Sequence, residues 1–177
     1  MDNFGQSLSK TVYRFNKYIK PILSDVVKAE LVSIEEMTDN RLAEKLDIFA
    51  GIDIWCIDKI GMYGIGSRLQ TSTKSWRTFT VRKDRDSGTR TEYEKRRHAI
   101  ENNYLYPKLT LQGYFTKNDE LLEFAVAETK DVISYIEDGH AIVRHTGNEQ
   151  VGQASFYAVH WDKFKECCND IFIHQHR

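Results

Sequence analysis

Two β-forming runs joined through a glycine turn constrain this chain more than any other feature. Ile52 to Ile57 is dense in β-branched and aromatic residues, Gly61 marks a turn, and Met62 to Gln70 reads as the next strand. Successive strand side chains point to opposite faces. Tyr63, Ile65, Ser67 and Leu69 therefore share one side of the second strand, and Gly64, Gly66, Arg68 and Gln70 share the other. Two glycines on that second side leave open space next to a polar pair, although a glycine-rich strand packed under a helix has the same pattern. Asp53 puts a carboxylate at the start of the first strand, just after Gly51.

The flanking segments read as alternating helices and strands. Val12, Phe15, Ile19, Ile22, Val26, Val27 and Leu31 recur at helical spacing and predict helix over 7–36, with Pro21 kinking it or starting a new one. Thr38 or Asp39 is suited to cap a short helix through Leu42 and Leu46. Trp76 to Arg82 reads as a third strand. Thr89 with Glu92, or Thr91 with Glu94, forms a capping box that opens a helix running to Asn102. A fourth strand follows over Leu109 to Phe115, then a helix from Asn118 or Asp119 carrying Leu121, Leu122, Phe124, Ala125, Val132, Ile133 and Ile136. Ala141 to His145 and Ala154 to Trp161 read as a closing strand pair, Asp162 to Ile171 as a last helix, and the tail with His174 and His176 as frayed.

At 177 residues, with no linker or repeat, the whole chain reads as one domain of α+β type: a central mixed sheet with helices on both faces. No apolar run approaches the ~20 residues that span a bilayer, and no secretory pattern opens the chain. The three cysteines give no disulfide framework, so a cytoplasmic protein is expected. The net charge of −1 conceals an uneven distribution: 68–97 holds ten basic and four acidic side chains, a local +6 against −7 elsewhere. Such a stripe suits contacts with a phosphate backbone, and a solvated basic face has the same composition.

Helix, three strands, helix and strand, with Gly51-Ile52-Asp53 ahead of a strand bearing a polar pair, resembles the PD-(D/E)xK nuclease-like superfamily over roughly residues 22–115. Residues 116–177 then form a C-terminal extension of a strand pair and a helix. The resemblance implies Mg²⁺-dependent phosphodiester hydrolysis. It places Asp53 as the first acid and Arg68-Leu69-Gln70 where an acidic-x-lysine triplet belongs. Glu30 from the first helix is the auxiliary carboxylate, with Glu35 and Glu36 as rivals, and Asp53 and Glu30 are the expected metal ligands. The triplet departs from the pattern, because an arginine cannot ligate a metal and a glutamine carries no charge. Lys74, Glu92 or Lys95 are the available replacements.

Arg77, Arg82, Arg85, Arg90, Lys95 and Arg96 are the expected nucleic-acid contacts. Trp76, Tyr93, Tyr104 and Tyr106 are interleaved with them and are available for stacking on bases. The histidines lack ligand spacing for a metal, and neither a Walker loop nor a Gly-x-Ser-x-Gly elbow occurs. Three functions stay open: a Mg²⁺-dependent nuclease of bacterial or phage type, an inactive relative that binds nucleic acid or a nucleotide, and a protein-interaction or self-associating module. In the third, Asp53 and Arg68 form a structural ion pair.

Overall fold

A computed structural model describes residues 10–36, 50–85, 90–146, 154–168 and 170–175. The N-terminal helix, α1, covers 10–27 and changes character midway, with a π-helical segment at Phe15–Ile19 before a regular α-helix at Lys20–Val27. The change falls where Pro21, near the start of that α-helix, removes a backbone donor, so the predicted break is a local widening. Lys28 then adopts φ +53, donates its amide to Ser24 O and ends the helix.

That early stop corrects the expected helix over 7–36. Glu30–Ser33 is strand β1, followed by a 3₁₀ turn at Ile34–Glu36. The apolar stripe of α1 continues into Leu31, but there it belongs to a strand with alternating burial. The short helix expected around Leu42 and Leu46 lies outside the described residues.

The expected hairpin forms as β2 (Ile54–Ile57) and β3 (Met62–Thr71). The third predicted strand also forms, as β4 (Thr78–Arg85), but it leaves this sheet. Helix α2 (Glu92–Glu101) starts on the Thr91/Glu94 capping box and carries the chain over to β5 (Pro107–Phe115), which lies parallel to β3. The chain order is therefore helix, four strands, helix and strand: the short β1 is added ahead of the hairpin, and β4 lies outside the large sheet.

Strand β6 (Leu121–Glu128) occupies a segment predicted as helix. Thr116 and Glu120 close a turn in which Asp119 takes φ +63, so the polar cluster builds a hairpin and not a helix cap. All of residues 121–127 except Leu122 are buried, and a strand covered on both faces loses the alternation that would tell it from a helix. Helix α3 (Thr129–Glu137) begins only after it. Strands β7 (Ile142–Thr146) and β8 (Ala154–His160) form the predicted pair, helix α4 (Trp161–Cys167) follows, and the expected frayed tail is strand β9 (Ile171–Gln175) on the edge of β6.

The result is an α+β fold with a mixed six-stranded sheet, ordered β1-β2-β3-β5-β6-β9, and a three-stranded sheet, β4-β8-β7. On one face of the large sheet, Phe15, Ile19 and Leu23 of α1 pack with Leu31, Cys56, Ile65, Leu111 and Phe115. On the other, Tyr114, Ala125 and Ala127 meet Val132, Ile133 and Ile136 of α3 and Phe79, Val81, Val159 and Trp161 around the small sheet. The second core joins the two sheets, and the site opens beside it. Among the described residues no helix is long and apolar enough to cross a membrane.

Candidate functional site

Asp53 sits where β1, β2 and β3 converge. Its amide donates to Ile65 O and its carbonyl accepts from Ile34, each at 3.0 Å. Its carboxylate accepts the Ser67 amide at 2.5 Å, which fixes the side chain beside β3. Gly51, at φ +63, supplies the turn that brings the chain into this position.

The first turn of α2 crosses over the same point. Thr91 is the N-cap, and residues 92, 95 and 96 lie on one helical face. Glu92 Oε2 accepts Arg68 Nη2 at 2.9 Å and the Arg82 amide at 3.2 Å, while Oε1 accepts Arg96 Nη2 at 2.7 Å. Burial alone would raise the Glu92 pKa. The charges of Arg96 and Arg68 and the Arg82 amide outweigh it and hold the carboxyl below the ordinary carboxylate range. Arg96 is only 4% exposed; its Nη1 donates to Thr110 Oγ1 at 3.2 Å, and its Nε has no acceptor among the described residues.

The two strand glycines do not leave empty space. A Cβ on Gly66 would stand 2.4 Å from Arg96 Nη2 and 3.0 Å from Gly51 O, and one on Gly64 would stand 2.5 Å from Ile52. The glycine face is filled by the Arg96 guanidinium and by Ile52, which is the packed-under-a-helix alternative of the sequence pattern. What remains open is a pocket of about 200 Å³ lined by Ala50, Gly51, Asp53, Ser67, Arg68, Glu92, Lys95 and Arg96. Its two carboxylates face three cations, for a net charge of +1.

Arg68 also lines a second cavity of about 300 Å³ between the two sheets, with Gln70, Trp76, Thr78, Thr80, Tyr114, Arg144, Phe156 and Ala158. The Arg68 guanidinium lies 5.0 Å from the Phe156 ring centroid, and Arg144 lies 5.6 Å from that of Trp76. These spacings suit cation–π contact.

The predicted residues divide accordingly. Asp53 and Arg68 meet in the first pocket, joined by Glu92, Lys95 and Arg96, whereas Gln70 lines the second. Glu30 is corrected: it lies on β1, not a helix, exposed and paired with Ile57, four residues along from Asp53, and it does not line the pocket. Arg77 is tied to Glu123 and Asp162, and Arg96 is buried, so both brace the fold. Arg82 stacks on Phe156 at 5.3 Å, and Arg90 is exposed. The Arg85 side chain lies outside the described residues. Of the interleaved aromatics, Trp76 and Tyr104 are exposed, whereas Tyr93 packs on Tyr157. Arg144 and Phe156 carry no local signal in the sequence, because only the packing of one sheet on the other brings them to Arg68.

A resident Mg²⁺ does not fit this donor set. The ion needs oxygen ligands, but both Glu92 oxygens are engaged by guanidinium groups, and the pocket carries more positive than negative charge. Among the described residues no three His, Cys, Asp or Glu side chains are grouped to hold a metal. No family model, curated protein or solved structure matches the chain.

Proposed function

We propose that this protein binds nucleic acid on a nuclease-like scaffold, receiving a backbone phosphate at Arg68 and Lys95 in the pocket that the buried Arg96 closes. The observation that carries the reading is Arg68. Glu92 holds it by one nitrogen at the junction of a cationic pocket and an aromatic cavity. A guanidinium has five donors in a planar fork and matches a phosphate bidentately while one edge stays on its carboxylate brace. Support also comes from the large sheet, in which β1, β2 and β3 follow α1 and β5 lies parallel to β3, an arrangement similar to the PD-(D/E)xK-like fold, with β4 departing from it by pairing in the small sheet.

The test is titration of labelled single- and double-stranded oligonucleotides over a salt series. Binding that weakens steeply with salt in the wild type, and that Arg68→Ala reduces, is the expected result. Absence of binding at low salt, or binding indifferent to salt and to Arg68→Ala, overturns it.

Convergence of Asp53, Glu92 and Lys95 in one pocket favours a second reading, hydrolysis of the bound phosphodiester. Incubating DNA and RNA with wild type and Asp53→Ala in the presence of Mg²⁺ separates the two. Cleavage that Asp53→Ala abolishes establishes the nuclease, and intact substrate with retained binding establishes the binder.

A further inference from the structure

The cavity beside the Arg68 pocket combines aromatic walls with a few polar side chains. We propose that it takes the base of a single unstacked nucleotide whose phosphate lies on Arg68; this deepens the binding reading above and rests on it. At about 300 Å³ the cavity stands at the small end of ligand sites, large enough for one base and its sugar and too small for a duplex. Trp76, 45% exposed, stands at the mouth with the exposed Lys74 ammonium 4.3 Å from its ring centroid, so a base stacks on the indole by displacing that ammonium. Phe156, beneath Arg68 and Arg82, forms another wall. Bases of any sequence stack on such faces, which makes the recognition tolerant of sequence.

The polar groups rule out a purely apolar occupant. Arg144 has no carboxylate partner among the described residues, and its guanidinium lies against the Trp76 ring. Gln70 is oriented by a relay. Thr80 donates to Gln112 Oε1 through its hydroxyl at 2.9 Å, so Gln112 presents Nε2 to Gln70 Oε1 at 3.1 Å. With its carbonyl committed, Gln70 is left with an amide NH₂ as donor, suited to a base carbonyl. Tyr114 and Thr78 at the floor satisfy each other at 2.9 Å and make no demand on the ligand. Arg68 lines both spaces, so a phosphate on one of its edges and a base in the cavity belong to one nucleotide.

The experiment compares a thymidine octamer with an octamer of abasic spacers that carries the same phosphates, read by anisotropy and by tryptophan fluorescence. The thymidine octamer is expected to bind about tenfold more tightly. Trp76→Ala removes that advantage, Trp76→Phe keeps most of it, and the abasic octamer is indifferent to both. Trp76 is exposed, so neither variant threatens the core. Equal affinity of the two octamers, or an equal loss on both with Trp76→Ala, overturns the base site while leaving the phosphate reading intact. Failure of both octamers to bind at low salt overturns the two together. Thymidine 5′-monophosphate distinguishes the source. If it saturates the fluorescence change and displaces the octamer, the site serves free nucleotides; if only the octamer acts, it serves single-stranded nucleic acid. Either result upholds the proposal.

Discussion

Glu92→Gln probes what organises the cationic pocket. In the wild type the carboxylate links Arg68, the Arg82 amide and the almost fully buried Arg96. Glutamine is isosteric, but it loses the charge, and its NH₂ end must face a guanidinium. Removing one partner of a buried ion pair costs about 3–5 kcal/mol. Glu92 and Arg68 are each about one-quarter exposed, so solvent returns part of that, and about 2–3 kcal/mol is expected. For a chain of this length the midpoint of thermal unfolding should fall by about 5–10 °C. The pH dependence has a definite sign. A carboxyl held below its ordinary pKa stabilises the fold fully above that ordinary value, about 4.3, and progressively less as pH falls through the lower folded value. The gap between variant and wild type should therefore be constant near neutrality and close in acid. Binding should persist at low salt, because the positive charge gained by the pocket offsets the lost bracing of Arg68. Unchanged stability would refute the bracing role. Loss of binding in a folded variant would show that the bracing of Arg68 counts for more than the net charge of the pocket.

Three further outcomes follow from the same geometry. Gly66→Ala drives a methyl group into the Arg96 guanidinium; it should cost about 1–3 kcal/mol in denaturant unfolding and weaken oligonucleotide binding in parallel. Thr91→Ala removes the hydroxyl that caps Glu94 N at 3.3 Å and should cost about 1 kcal/mol in the same assay. Arg68→Lys keeps the charge, but an ammonium cannot hold Glu92 and a phosphate in one plane, so its binding isotherm should lie nearer that of Arg68→Ala than that of the wild type.

The elements nearest the site were the most legible. The hairpin of β2 and β3 forms where the two β-forming runs and the glycine turn place it, and of the two capping boxes that the sequence offers, Thr91 with Glu94 starts α2. The misreadings share a physical cause. Local pattern reports burial, not the partner that provides it. Leu121 to Val126 is covered on both faces of a central strand, so its apolar run loses the period that would have marked it as β. Strand β1 is only four residues long and follows a helix whose stripe runs into it, and what separates them is the left-handed turn at Lys28, a residue with no special propensity for it. Strand β4 reads correctly as a strand, yet nothing local indicates that it pairs with β8, more than seventy residues on.

The same distinction governs the site. Arg68 looked like a misfit because it stands where a carboxylate was expected on β3, and the nearest carboxylate in space, Glu92, lies 24 positions away on α2. Under the nuclease-like reading proposed above, the acidic group and the lysine that β3 lacks would be supplied by relocation to Glu92 and Lys95, one turn apart on the helix face that meets Asp53. Relocation alone would favour catalysis, and electrostatics argues against it. A carboxylate that holds two guanidinium groups is a poor ligand for a dication but a good brace for a phosphate receptor. It fixes the plane of Arg68 before any ligand arrives, and so lowers the entropy lost when a phosphate is bound. Arg96 is locked by Gly66, Glu92 and Thr110 and cannot swing away to release the carboxylate without disturbing β3. Under the binding proposed above, rigidity around Glu92 suits holding a backbone phosphate better than cleaving its ester.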